Sequence, residues 1–253
     1  MKYLTPIIFA ISCITLTSCT TNGEFDTQKA LAVGTSVGMG VLQASMLDEN
    51  EVKHMASMSA KELDGKSKIA SASNAYTKRL NTITQPLQSY DGLQLNFKVY
   101  LSSEINAFAM ADGTVRVYSG LLDAMPDDQV RAVIGHEVGH VKLRHTYNQM
   151  RERVLTDTAF AAAGSVGGYI GTLTSSQLGQ LAQTAVNARF SQQDELDADQ
   201  YAIKLLARIG KDPYAMKRSI ETLQDKYGSE SSFLSSHPSN EQRIDAIERA
   251  IKK

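Results

Sequence analysis

Beyond residue 19 the sequence has no cysteine: its two, Cys13 and Cys19, both fall among the first twenty residues. A body stapled by disulfides is therefore excluded, and so is a cysteine ligand for a metal within it. Concentrated positive charge is missing too. The 26 Lys and Arg are dispersed and offset by 27 Asp and Glu, leaving a formal net charge of -1 and no electrostatic footprint for nucleic acid. A strongly apolar run of spanning length is also absent. Ala30 to Leu47 carries no charge, but its three leucines are diluted by Gly, Ser and Thr. Such a stretch suits a helix packed on the body or lying at a membrane surface better than one crossing it. What is present, 253 residues with 42% hydrophobic and 21% charged, suffices for one main domain with an ordinary core.

Met1-Lys2 precedes an apolar segment, Pro6 to Leu16, that is too short to remain as a membrane helix and reads as a secretory signal. It ends in Leu16-Thr17-Ser18-Cys19, which resembles a bacterial lipobox. That resemblance implies an acylated Cys19 as the mature N-terminus. With Thr20 rather than Asp after it, the same resemblance implies sorting to the outer membrane, on its periplasmic side. Several acyl chains on one residue give durable anchoring. The expected organisation is a signal peptide over 1–18, a lipid-anchored helical segment over 19–65 and the main domain over 66–253. The soft boundary at Gly65 follows a shift in composition.

Asp48 to Lys68 carries Met and Leu at loose helical spacing. Ser73 to Leu87 has Ala75, Tyr76, Leu80, Ile83 and Leu87 at three- and four-residue intervals, an amphipathic helix closing near Pro86. Leu95, Phe97, Val99 and Leu101 alternate with polar or aromatic neighbours, as in a strand with one buried face. Asn106 to Met110 and Thr114 to Tyr118 flank Ala111-Asp112-Gly113, a hairpin with a glycine turn. These strands predict a small antiparallel sheet within a mainly helical α+β fold.

The chemistry concentrates in Gly135-His136-Glu137-Val138-Gly139-His140. Pro126-Asp127-Asp128 starts a long helix, so His136 and His140 stand one turn apart, about 40° around its axis, and both rings can reach one ion. Glu137 flanks them. Two neutral imidazoles and a carboxylate able to take a proton from water are what a zinc hydrolase needs. Gly135 and Gly139 weaken a helix interior, which suggests close approach by another backbone. On a helix that continues, His145 falls about 140° from His140 and is set aside as a ligand. The metzincin spacing is ruled out because Leu143 and Thr146 stand where that pattern needs Gly and His. Further on, Ser191 and Asp194 form a capping-box-like start to a helix in which Glu195 and Asp199 continue the apolar stripe of Ala202 and Leu206. Buried carboxylates need a cation, so Glu195 is assigned as third ligand and Asp199 as the group holding a ligand imidazole by its second nitrogen. A hairpin edge at Asn106, Ala107, Phe108 and Ala109 beside such a site could take up an extended peptide by main-chain hydrogen bonds, or simply cover the core.

Together with His237-Pro238 and Arg243, these motifs resemble the HtpX and CAAX-prenyl-protease type of gluzincin metallopeptidase over roughly Ser71 to Lys253. With the lipobox the nearest resemblance is to the LoiP-type outer-membrane lipoprotein branch. It implies a zincin fold, one zinc per chain on His136, His140 and Glu195, and Glu137 as general base. The implied substrates are misfolded or membrane-associated polypeptides. By spacing alone His237 is an ordinary surface loop histidine. The resemblance makes it and Arg243 candidates for steadying the oxyanion or the metal site. Integral relatives carry membrane segments near the Ala/Gly-rich run Thr158 to Leu173, which here reads as a flap, a bilayer-touching surface or a packed connection. Pro213 to Tyr227 and Asn240 to Ile251 read as helices, the second capped by Ser239 and Gln242. The rival reading is a lipid-anchored chaperone or assembly factor with a non-catalytic zinc. It needs a fourth protein ligand without cysteine, and leaves Glu137 without purpose.

Overall fold

A computed structural model describes residues 47–157, 173–228, 232–238 and 241–252, and in it helices surround one three-stranded sheet. The signal and lipobox residues with Cys19, the uncharged stretch up to residue 46, residues 158–172 and the Ser239 cap lie outside the described residues.

Strand β2 (Ala107–Ala109) and strand β3 (Thr114–Tyr118) form the expected antiparallel hairpin, with Gly113 at φ +89° in its turn. Strand β1 (Asn96–Tyr100) pairs with β3 in parallel, so the sheet has the order β1-β3-β2 and is mixed rather than antiparallel. The connection after β1 crosses to the far side of β3, which local alternation cannot reveal. It is pinned on the start of helix α3 (Ser119–Ala124), where the Gly120 amide and the Ser119 hydroxyl both donate to the Ser102 carbonyl. A Cβ on Gly120 would stand 2.4 Å from the carbonyl oxygens of Ser103 and Glu104, so only glycine admits this crossing.

Helix α1 (Glu49–Lys66) starts at Asp48, whose side chain accepts from the Glu51 amide. Its Val52, Met55, Ala56 and Ala60 pack with Tyr100, Phe108 and Tyr118 of the sheet and with Leu181, Ala182 and Ala185 of helix α6 (Ser175–Val186). Near its end Asp64 receives Arg116 Nε at 2.8 Å, Lys98 Nζ at 2.6 Å and the Tyr100 hydroxyl at 2.7 Å. Burial opposes its charge, but these donors outweigh that and hold the carboxyl down to about 2. The buried Arg116 on a strand is thereby paired.

Helix α2 (Ala75–Thr84) and a short 3-10 turn (Gln85–Leu87) occupy the stretch expected to be helical up to Pro86. The described helix with the most buried residues is α4 (Asp127–Lys142), crossed by helix α7 (Gln192–Arg208). The glycines of α4 mark that crossing, though unequally. A Cβ on Gly139 would come within 3.1 Å of the Ala198 backbone, whereas one on Gly135 would rest at 3.5 Å from Ala202. Gly139→Ala is therefore expected to destabilise by about 1–3 kcal/mol through overpacking. Gly135→Ala should be neutral or stabilising by up to about 1 kcal/mol, from helix propensity. Urea unfolding of both variants checks this, and shifts of the same sign and size would count against the asymmetry.

Helix α4 ends at Lys142, and Arg144 takes a left-handed conformation (φ 67°) before helix α5 (His145–Thr156) begins. His145 is thus not on another face of one continuous helix, and the premise that set it aside does not hold. Helices α8 (Ala215–Tyr227), α9 (Ser232–Ser236) and α10 (Glu241–Ile251) follow, and Met216, Ile220 and Ile247 close a further core against Ala132, Ala202 and Leu206. Among the described residues no helix is long and apolar enough to cross a membrane.

Candidate metal centre

The inner face of α4 brings His136 and His140 into the interior, both without solvent exposure, with their Nε2 atoms 3.0 Å apart. Opposite them, the first turn of α7 presents Glu195. Its entry is fixed by the capping box, in which the Ser191 hydroxyl accepts from the Asp194 amide and the Asp194 carboxylate accepts from the Ser191 amide. From there Glu195 Oε2 lies 3.5 Å from His136 Nε2 and Oε1 lies 3.4 Å from His140 Nε2. A fourth donor arrives from the loop after α9. His237 is 2% exposed, not a surface residue, and its Nδ1 lies 3.2 Å from His136 Nε2 and 2.9 Å from Glu195 Oε1.

These four donors lie within 4.8 Å of one another, all buried. Bonds of about 2.0–2.1 Å to zinc place neighbouring corners of a tetrahedron roughly 3.3 Å apart. Five of the six separations, from 2.9 to 3.5 Å, bracket that value. His136 spends its Nδ1 proton on Asp199 and so turns a lone pair at Nε2 towards the cluster. Glu195 Oε2 accepts no aligned hydrogen bond despite its burial, although Arg243 Nη1 stands 2.8 Å away. Converging lone pairs and an under-satisfied carboxylate fit a divalent cation. Burial also drives His140 well below its ordinary pKa, which keeps it in the neutral form a ligand must have.

Around the donors stands a ring of support. Asp199 Oδ1 accepts from His136 Nδ1 at 2.8 Å and is clamped by Arg243, whose Nη2 reaches Oδ1 at 2.7 Å and whose Nε reaches Oδ2 at 2.8 Å. Burial works against the Asp199 charge, but the guanidinium and the His136 bond prevail and keep its carboxyl below the ordinary range. Arg243 Nη1 also donates to the carbonyls of His237 and Pro238, holding the loop that carries the fourth donor. His145 was set aside in the sequence reading, and Phe190 escaped it. His145 Nδ1 lies 3.0 Å from His140 Nδ1, and Phe190 stacks on the His140 ring with centroids 3.8 Å apart. Phe190 sits on no periodic stripe that would have drawn attention to it.

Glu137 is not among the donors. Its Oε1 accepts no hydrogen bond and faces His237 Nε2 at 3.4 Å, while the Ala109 backbone supports the carboxylate. Burial raises this carboxyl above its ordinary range, and His237 and His136 offset part of the rise. Ala109 belongs to β2, which is the outer strand of the sheet, yet Asn106, Ala107, Phe108 and Ala109 are all 3% exposed or less. The edge is thus beside the site but not open along its length. A cleft of about 560 Å³ meets it at Asn106 and is lined there by Glu104, Tyr118, Arg189 and Ser236.

Comparison with known proteins agrees with this geometry. Metalloprotease LoiP of Escherichia coli (strain K12) is 42% identical over 214 residues, 84% of this chain and 85% of that protein. Metalloprotease YcaL of the same organism is 36% identical over 247 residues, covering 97% of this chain and 96% of its own. The Beta-barrel assembly-enhancing protease of that organism is 30% identical over 251 residues, 93% of this chain but 51% of the longer protein. Residues 71–251, which contain all four donors and Glu137, match Peptidase family M48, and the chain belongs to that family.

Proposed function

We propose that this peptidase is a zinc-dependent endopeptidase, tethered through an acylated Cys19 to the periplasmic face of a bacterial outer membrane, that cleaves misfolded or membrane-associated polypeptides. The observation that carries the catalytic part is a buried carboxylate, Glu137, held beside a cluster of metal donors without being one of them. When bound, zinc supplies Lewis acidity that lowers the pKa of water to about 7 and polarises a carbonyl. His136, His140 and Glu195 would hold it. Glu137 Oε1 is placed to take the proton from the attacking water and pass it to the leaving amine, and its raised carboxyl suits both tasks. The peptide would enter by the cleft that meets β2 at Asn106.

His237 refines this reading. Its Nδ1 could add a fourth donor to His136, His140 and Glu195, which would close the site, whereas with Nδ1 free of the metal its Nε2, 3.4 Å from Glu137 Oε1, would be a donor for an oxyanion. The same closure is what favours the second reading, a chaperone or assembly factor with a structural zinc. A buried, unbonded Glu137 oxygen has no place in that reading.

The test is metal removal from the full chain. A strong chelator is expected to abolish hydrolysis of an unfolded casein-like substrate, and one equivalent of zinc per chain should restore it. Chelator-resistant cleavage, or a zinc-loaded protein without cleavage, would overturn the proposal. The tether rests on Leu16-Thr17-Ser18-Cys19. Cys19→Ser should move the protein from the membrane to the soluble fraction, and unchanged membrane association would sink the anchor.

A further inference from the structure

We infer that His145, itself oriented by Asp194, is a positioning residue that fixes the metal-binding tautomer of His140. The inference rests on the metal reading above. A neutral imidazole carries one proton and one lone pair, so His140 can offer Nε2 to the cluster only with its proton on Nδ1. His140 has no solvent exposure, so a proton there needs a protein acceptor. His145 Nδ1 stands at 3.0 Å. It can accept only if its own proton is on Nε2, and that atom lies 3.3 Å from Asp194 Oδ1, a carboxylate oxygen that can only accept. Asp194, as the anion facing His145 Nε2, favours the proton there, and His145 Nδ1 is then left to accept from His140.

The two ligand histidines are thus steadied by different means. His136 meets a carboxylate directly, through Asp199, and that carboxylate is locked by Arg243. His140 reaches its carboxylate through a second ring. Local structure shows why both parts are where they are. The left-handed Arg144 breaks the helix and swings His145 back towards a ring it would miss on a continuous helix. Asp194 is held by the Ser191 amide and hydroxyl, at 3.1 and 2.8 Å, in the capping box that also delivers Glu195. One helix start therefore supplies a ligand to the metal and orientation to another ligand. Phe190 covers a face of the His140 ring, so its direction is set in the plane by His145 and across it by stacking.

The experiment measures zinc affinity of the full chain by competition with a chromophoric chelator. His145→Phe keeps a ring but has no acceptor, and is expected to weaken zinc binding by about 10–100-fold. His145→Gln retains a carbonyl acceptor and should recover most of that loss. Asp194→Asn should fall between them, because the His145 tautomer is then no longer imposed. A slowly exchanging Nδ1 proton of His140, seen by NMR in the zinc-loaded wild type and the Gln variant, should be lost in the Phe variant. Wild-type affinity in both His145→Phe and Asp194→Asn would overturn the role, and if His145→Phe fails to fold, Asp194→Asn decides alone. His136→Ala separates the two levels. If it loses zinc while the other variants keep it, only the positioning role is refuted; if it also keeps zinc, the metal centre itself falls.

Discussion

Glu137→Gln is expected to lower hydrolysis of an unfolded protein by about 10²–10⁴-fold, the share usually carried by a general base. Fold and zinc content should not change. The amide has the shape of the carboxylate and keeps an oxygen for the Ala109 backbone, and Glu137 is not one of the four donors. Stability should hold or rise. Burial penalises the charged form of this carboxyl, so a neutral isostere removes a cost. Turnover assays beside zinc analysis and thermal melts check all three statements. Retained turnover would refute the base, whereas lost zinc would make Glu137 a ligand.

Asp199→Ala should give the largest loss of stability among the site variants. It strips the bidentate partner from Arg243, which is fully buried, and the acceptor from His136 Nδ1. Removing one member of a buried ion pair costs about 3–5 kcal/mol, and because Glu195 Oε2 still stands 2.8 Å from Arg243 Nη1 the loss is expected at the lower end of that range. Unfolding should be compared in chelator, so that linkage to metal binding is not counted twice. In the zinc-loaded protein, affinity should drop by about 10–100-fold, as for other outer supports of ligand histidines. Asp199→Asn, which keeps one acceptor oxygen, should be milder on both measures. A variant Asp199→Ala within about 1 kcal/mol of wild type would show that the partners Arg243 already has in Glu195 and in the carbonyls of His237 and Pro238 suffice for its charge.

How far the sequence could be read depends on how local each determinant is. His136, Glu137 and His140 follow from helical spacing, and the meeting of Glu195 and Asp199 with them follows from acids on an apolar stripe. The hairpin was visible in its glycine turn. The parallel partner of β1 was not, because it depends on the crossing over Gly120 and not on the strand. His145 was misplaced for want of one dihedral angle, at Arg144. The depth of His237 was hidden because a loop histidine has no period, and it is drawn inward by Arg243, by Glu195 from a distant helix, and by the stacking of Phe233 on its ring. Gly135 and Gly139 announced a close crossing without saying which was the tighter.

The donors also have a chain-length meaning. His136 and Glu195 stand on separate helices far apart in sequence, so a cation shared between them would close a long loop. Closing such a loop removes conformational freedom from the unfolded chain, as a disulfide does. A body without cysteine thereby acquires a cross-link through the same atoms that do its chemistry. Loss of the ion then has a double effect: the enzyme stops, and its own polypeptide loosens towards the kind of substrate it is proposed to degrade.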